Sequence, residues 1–159
     1  MKTDEAKEMT LEKAISKTPD VKGKFCKGLG AVKTSEKSKF VVSNTHLLSG
    51  SLDIDSATKF LFPNDNRWDY AVEYNKEVFF VEIHPCSTSE IQTVLHKLSW
   101  LKNWLKTRAP DISSLKSTSR NPYIWVFTNR FDILPPSKTY RQLSLSGLKV
   151  ARRWEYDKM

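Results

Sequence analysis

Two runs of alternating polar and apolar residues, Arg67–Tyr74 and Glu77–His84, stand on either side of Asn75-Lys76. A period of two sends successive side chains to opposite faces of a strand, so the pair reads as a β-hairpin. A two-residue turn pairs Tyr74 with Glu77. Counting back, Glu73 then meets Val78, Ala71 meets Phe80, Asp69 meets Glu82 and Arg67 meets His84. One face carries Arg67, Asp69, Ala71 and Glu73 with Phe80, Glu82 and His84. The other carries Trp68, Tyr70, Val72 and Tyr74 with Phe79, Val81 and Ile83, which is a packing surface. Asn-Lys is a weaker turn signal than Asn-Gly, and a longer turn would change the register.

The period lengthens after the hairpin. Pro85 ends the second strand, and Ser87-Thr-Ser-Glu90 has the spacing of a capping box. Apolar residues at 91, 94, 95, 98, 101 and 105 repeat every 3.6 positions, which predicts a helix ending near Ala109-Pro110. Residues 111–120 read as a Ser/Lys loop. Tyr123–Thr128 lacks polar alternation until its end, as expected of a strand buried on both faces. Phe131–Leu134 continues or pairs with it, Pro135-Pro136 opens a helix to about Leu145, Gly147 closes it, and Leu148–Tyr156 forms a final strand. Upstream, a short helix is expected around Glu5–Lys17, a loop-like stretch through Gly23, Gly28 and Gly30, a short strand at Phe40–Val42, and a helix at Ser56–Phe62 capped by Asp53 or Asp55. The whole predicts an α/β (α+β) fold, a mixed central sheet flanked by helices. Residues 1–38 form a basic, partly helical N-terminal segment and residues 39–159 one α/β domain.

A chain of 159 residues with 39% hydrophobic positions can bury a sizeable core. No apolar run approaches the roughly 20 residues that span a bilayer, and the N-terminus lacks a signal-type apolar stretch. Two cysteines, Cys26 and Cys86, suit neither a disulfide framework nor a zinc site. These features predict an intracellular, cytoplasmic protein without a membrane partner. The net charge of +8 is unevenly spread: residues 1–40 hold 10 basic and 6 acidic groups, residues 41–96 hold 3 and 8, and residues 97–159 hold 13 and 4. Such basic ends either attract a polyanion, nucleic acid above all, or serve as solvated lysine faces.

Two carboxylates placed opposite each other repel, so Asp69 and Glu82 need compensation. A divalent cation would supply it. A salt-bridge cluster with Arg67 and His84 would do so too, and a proton shared between the acids is a third solution. Other chemistries find less. Lys22–Gly30 lacks the Gly-Lys-Ser/Thr of a phosphate-binding loop, no serine sits in a Gly-x-Ser-x-Gly elbow, and His46, His84 and His96 lack zinc-ligand spacing.

An Asp on one strand, Glu82-Ile83-His84 on the next, then a helix and a hydrophobic strand resembles the restriction-endonuclease-like PD-(D/E)XK phosphodiesterase superfamily, over roughly residues 64–130. The resemblance implies a nuclease core in which Asp69, Glu82 and the backbone carbonyl of Ile83 hold Mg2+ or Mn2+ for phosphodiester hydrolysis of DNA or RNA. The chain departs from the motif at two places: His84 stands where the family has lysine, and Trp68 rather than proline precedes Asp69. His84 would then be a base, a water-positioning group or an extra ligand. A lysine supplied from the following helix is a known variation, and Lys97 is the nearest candidate, with Gln92 and His96 on an adjacent stripe. Glu12 or Asp53 could serve as an upstream acid. Lys102, Lys106, Arg141, Arg152 and Arg153 would hold backbone phosphates. The alternative is a non-catalytic nucleic-acid-binding or protein-interaction module that keeps the fold, with Arg67 and His84 neutralising the acids.

Overall fold

The expected hairpin forms, and the rest of the sheet grows from it. The computed structural model describes residues 8–128 and 138–158. In chain order the elements are α1 (Leu11–Ser16), β1 (Cys26–Lys27), β2 (Phe40–Val41), β3 (Leu48–Asp53), α2 (Ile54–Thr58), β4 (Tyr70–Tyr74), β5 (Glu77–Ile83), α3 (Ile91–Thr107), α4 (Pro110–Ser113), β6 (Tyr123–Val126), α5 (Lys138–Leu145), β7 (Lys149–Ala151) and β8 (Trp154–Glu155). β4 and β5 pair in the register counted from the turn, Tyr74 with Glu77 and Ala71 with Phe80. Asn75 and Lys76 both adopt left-handed φ values, 53° and 67°, as a tight turn matched to strand twist requires.

Six strands form a mixed sheet in the order β1-β3-β4-β5-β6-β7. Pairing is antiparallel from β1 to β5 and parallel from β5 to β7. Helices cover one face. α3 buries Ile91, Val94, Leu98, Leu101, Trp104 and Leu105, and this stripe packs in one cluster with Ala71, Phe80 and Trp125. The opposite face, built on Tyr70, Val72, Tyr74, Phe79 and Val81, packs against Phe40, Trp154 and Tyr156. Those residues come from or adjoin a small parallel pair, β2 with β8. The hairpin is therefore covered on both sides, and only its ends reach solvent.

Several expectations shift. Trp68 packs with Ala71 and Phe80 rather than with Tyr70, because the ladder stops at Tyr70 and the carbonyl of Asp69 instead accepts the amides of Ile54 and Asp55 at the start of α2. That helix spans Ile54–Thr58 rather than Ser56–Phe62, and Asp53 caps it by accepting from the Ser56 amide. The reciprocal capping box at Ser87 and Glu90 does not form. Ser87 makes no side-chain cap, a 3₁₀ turn covers Thr88–Glu90, and the Glu90 carboxylate is engaged by His84. The last strand breaks at Arg152-Arg153, so β7 extends the main sheet and β8 joins β2. A short helix opens the 111–120 loop. Phe131–Leu134 and Pro135-Pro136 lie outside the described residues.

Residues before 39 join the same core. Leu11, Ala14 and Ile15 are fully buried in the cluster beneath α3, and Cys26–Lys27, in a stretch read as loop, pairs with β3. α1 is fastened by Glu73, a buried carboxylate whose Oε2 accepts the Leu11 amide at 3.1 Å and whose Oε1 accepts the Ser49 hydroxyl at 2.7 Å. Hydrogen bonds to charged groups contribute about 1.5–3 kcal/mol each. Glu73→Ala is therefore expected to lower the denaturant midpoint by the equivalent of roughly 2–4 kcal/mol. Glu73→Gln should recover part of that. Equal stability of Glu73→Ala and wild type would show the contact to be energetically idle.

Candidate active site at the end of the hairpin

Asp69 and Glu82 are bound to one another through the backbone. The Asp69 amide donates to Glu82 Oε1 at 3.0 Å, and the Ile83 amide donates to Asp69 Oδ2 at 3.0 Å. This reciprocal pair continues the hairpin register one step past the ladder and fixes both carboxyls on one side of the sheet. Glu82 is completely buried, whereas the Asp69 side chain retains 21% exposure.

The oxygen left on each acid faces Lys97. Its Nζ donates to Glu82 Oε2 at 2.5 Å and lies 3.8 Å from Asp69 Oδ1. Lys97 reaches this point because it flanks the buried stripe of α3, one residue before Leu98 and three after Val94. The three charges do not balance. Burial pushes Asp69 up to about 6, against the opposing pull of the Lys97 ammonium and the Ile83 amide. Burial and then the charge of Asp69 raise Glu82 well above the usual carboxylate range. Burial disfavours the Lys97 charge, but Glu82 and Asp69 outweigh it and the ammonium is held more firmly than in water. The cluster is thus one positive charge short when both acids ionise.

His84 stands at the rim. Its Nδ1 is 3.7 Å from Glu82 Oε2 and its Nε2 is 2.6 Å from Glu90 Oε1. Its carbonyl accepts from the Trp125 indole at 2.9 Å, and its amide donates to the Val126 carbonyl, so β6 fixes the backbone here. Arg67 goes elsewhere: its Nε donates to Asp55 Oδ1 at 2.7 Å and its Nη1 to the Phe62 carbonyl. The expected neutralisation of the acid pair by Arg67 is therefore corrected. The helix lysine takes that place.

The other candidates scatter. Gln92 is exposed and donates to Gln142 of α5, and His96 is exposed on α3. Lys102 lies over the Tyr123 ring, 5.0 Å from its centroid, and with Lys106 lines a hollow toward the start of β6, away from the acids. Arg152 lies over the Phe127 ring, just past the end of β6, 5.9 Å from its centroid. Arg153 sits 3.9 Å from Glu155, and Arg141 is exposed on α5. Asp53 is spent as a helix cap, and Glu12 is exposed on α1. Residues missed by sequence reasoning are Glu90, the partner of His84, and Glu36 and Asp55, whose charges also push Asp69 upward. Glu90 was visible as the last residue of a capping signature, but its true partner lies in the preceding strand end.

Glu82 Oε2 and Asp69 Oδ1 converge on the space that the ammonium holds, so these residues present oxygen donors suited to a hard cation. Among the described residues no group of three or more His, Cys, Asp or Glu could hold a metal ion. The protein offers two carboxylates, and waters or a substrate phosphate would have to complete the shell, which is the usual habit of magnesium. No helix among the described residues is long and apolar enough to cross a membrane. Compared with protein families, curated proteins and solved structures, the chain matches none.

Proposed function

We propose that the protein is a metal-dependent phosphodiesterase acting on nucleic acid, with its site at Asp69, Glu82, Lys97 and His84. The observation that carries this reading is the convergence of one oxygen from each hairpin carboxylate on the Lys97 ammonium. Asp69 and Glu82 would hold Mg2+ or Mn2+. The Ile83 carbonyl would assist, since a strand residue's carbonyl leaves on the same edge as its amide, and the Ile83 amide is already bonded to Asp69. The ion would polarise the phosphate and acidify a bound water. The ion would take the space between the acids that the Lys97 ammonium holds; the displaced Lys97 would supply a positive donor beside that water, and His84, oriented by Glu90, would accept or return a proton. The exposed edge of Asp69 gives access to solvent. The basic C-terminal third favours a polyanionic substrate.

A second reading has its own support. Complete burial of Glu82 and the short Lys97 contact equally describe a structural ion cluster in a non-catalytic binding module. Thermal unfolding with added Mg2+ or Mn2+ separates the two, because a ligand bound only by the native state adds about 2.7 kcal/mol at a hundred times its dissociation constant. The expected result is a saturable rise in Tm that Asp69→Asn abolishes, with cleavage of labelled DNA or RNA lost in the same variant. Absence of both a metal-dependent rise and cleavage in wild type would select the binding module.

A further inference from the structure

On the other flank of α3 from Lys97, Lys102, Lys106 and Lys116 line one hollow with Leu105, Ser113 and Tyr123, a cavity of about 450 Å³. No carboxylate lines it. Among the described residues none of the three ammonium groups has an ion-pair partner, and the Ser113 and Tyr123 hydroxyls make no hydrogen bond. Lys102 is steadied over the Tyr123 ring, and that ring stacks on Phe80 at 5.8 Å, so one wall is anchored in the core. Three exposed lysines and two hydroxyls therefore line one hollow with no carboxylate among them. Arg67 and Arg108, by contrast, are each matched to an acid, Asp55 and Asp20. The register places this hollow two strand residues back from the acid pair, since Tyr123 pairs with Phe80 and Trp125 with Glu82, about 7 Å along the sheet.

We infer that this hollow is a phosphate-binding site, taking a phosphate group carried by a nucleotide. Its chemistry suits a phosphate: three ammonium donors suit a point charge, and two hydroxyls add directional bonds. The phosphate could belong to a free mononucleotide or to a nucleic-acid backbone. The site stands apart from the acid pair, so the inference does not need cleavage at Asp69 and Glu82 to be correct.

The test is binding of a fluorescein-labelled single-stranded oligonucleotide, with adenosine monophosphate as competitor and chelator present, across a salt series. The proteins compared are wild type, Lys102→Gln/Lys106→Gln/Lys116→Gln, and the matching triple arginine variant. Each phosphate contact on single strands contributes about 0.7 to the slope of log K against log salt. The glutamine variant is expected to lose about 0.7 from that slope, for the one phosphate held here, and the arginine variant to keep it. Competition by millimolar adenosine monophosphate, lost in the glutamine variant, would identify a nucleotide pocket. Oligonucleotide binding insensitive to the mononucleotide, yet lost in that variant, would identify a backbone contact. An unchanged slope, or no binding of either probe by wild type, overturns the inference. The chelator keeps metal away from the acid pair throughout, so binding is read apart from cleavage, which separates failure here from failure of the hydrolytic reading.

Discussion

Lys97→Met is expected to destabilise the protein by about 3–5 kcal/mol at pH 8, the usual cost of stripping one partner from a buried ion pair. Methionine keeps the length of the side chain and its packing beside Leu98, so the loss reports the ammonium. Without it Glu82, which has no exposure at all, keeps the Asp69 amide and the more distant His84 ring beside its charge. The penalty should shrink toward pH 5, where the acids escape it by taking up protons. Denaturant titrations at the two pH values, with m-values compared to confirm two-state unfolding, measure it. A loss below 1 kcal/mol and equal at both pH values would mean that the ammonium sits in water rather than between the acids. In the hydrolytic reading the same variant also loses cleavage.

Asp69→Asn is expected to act in the opposite direction. It leaves Lys97 and Glu82 as a neutral pair and preserves an oxygen to accept the Ile83 amide. Because burial raises Asp69 from 3.8 to about 6, the folded metal-free protein holds that proton more tightly than the unfolded chain does. The stability linked to this group is complete below pH 3.8 and is lost as pH rises through about 6. Wild type and variant should therefore match near pH 4 and diverge above pH 6, with the asparagine form more stable by about 2–3 kcal/mol at pH 8. Glu82 is also raised and stretches the window upward. A variant less stable than wild type at pH 8 would show that the charge of Asp69 helps hold the apo fold. Greater stability joined to lost metal response would be the signature of an acid kept for chemistry rather than for folding.

The hairpin was legible because its period and its two-residue turn leave little freedom: one register satisfies both, and it brought Asp69 opposite Glu82. The buried stripe of α3 was legible for the same reason. The identity of the counter-ion was only half legible. Lys97 entered only through the family resemblance, as a lysine from the following helix; the residues themselves pointed to Arg67 and His84, and the diversion of Arg67 to Asp55 depends on α2 starting at the Asp69 carbonyl. That start also turned Trp68 to the helical side, since alternation holds only while the ladder lasts. The capping signature at Ser87 and Glu90 failed because His84 offers Glu90 a closer partner than the helix end does. Two-residue strands such as β1 and β8 carry too few positions for any period to be read, and their pairing is set by residues up to 25 and 114 positions away.

The tie from Glu73 to the Leu11 amide has a bearing on how the molecule comes apart. A six-residue helix cannot persist alone in water, so α1 exists only while the meander beneath it is assembled. The strand that presents Glu73 also leads directly back to Asp69. Loosening of the hairpin would release the amino-terminal turn in the same event, so these distant parts of the chain belong to one cooperative opening unit.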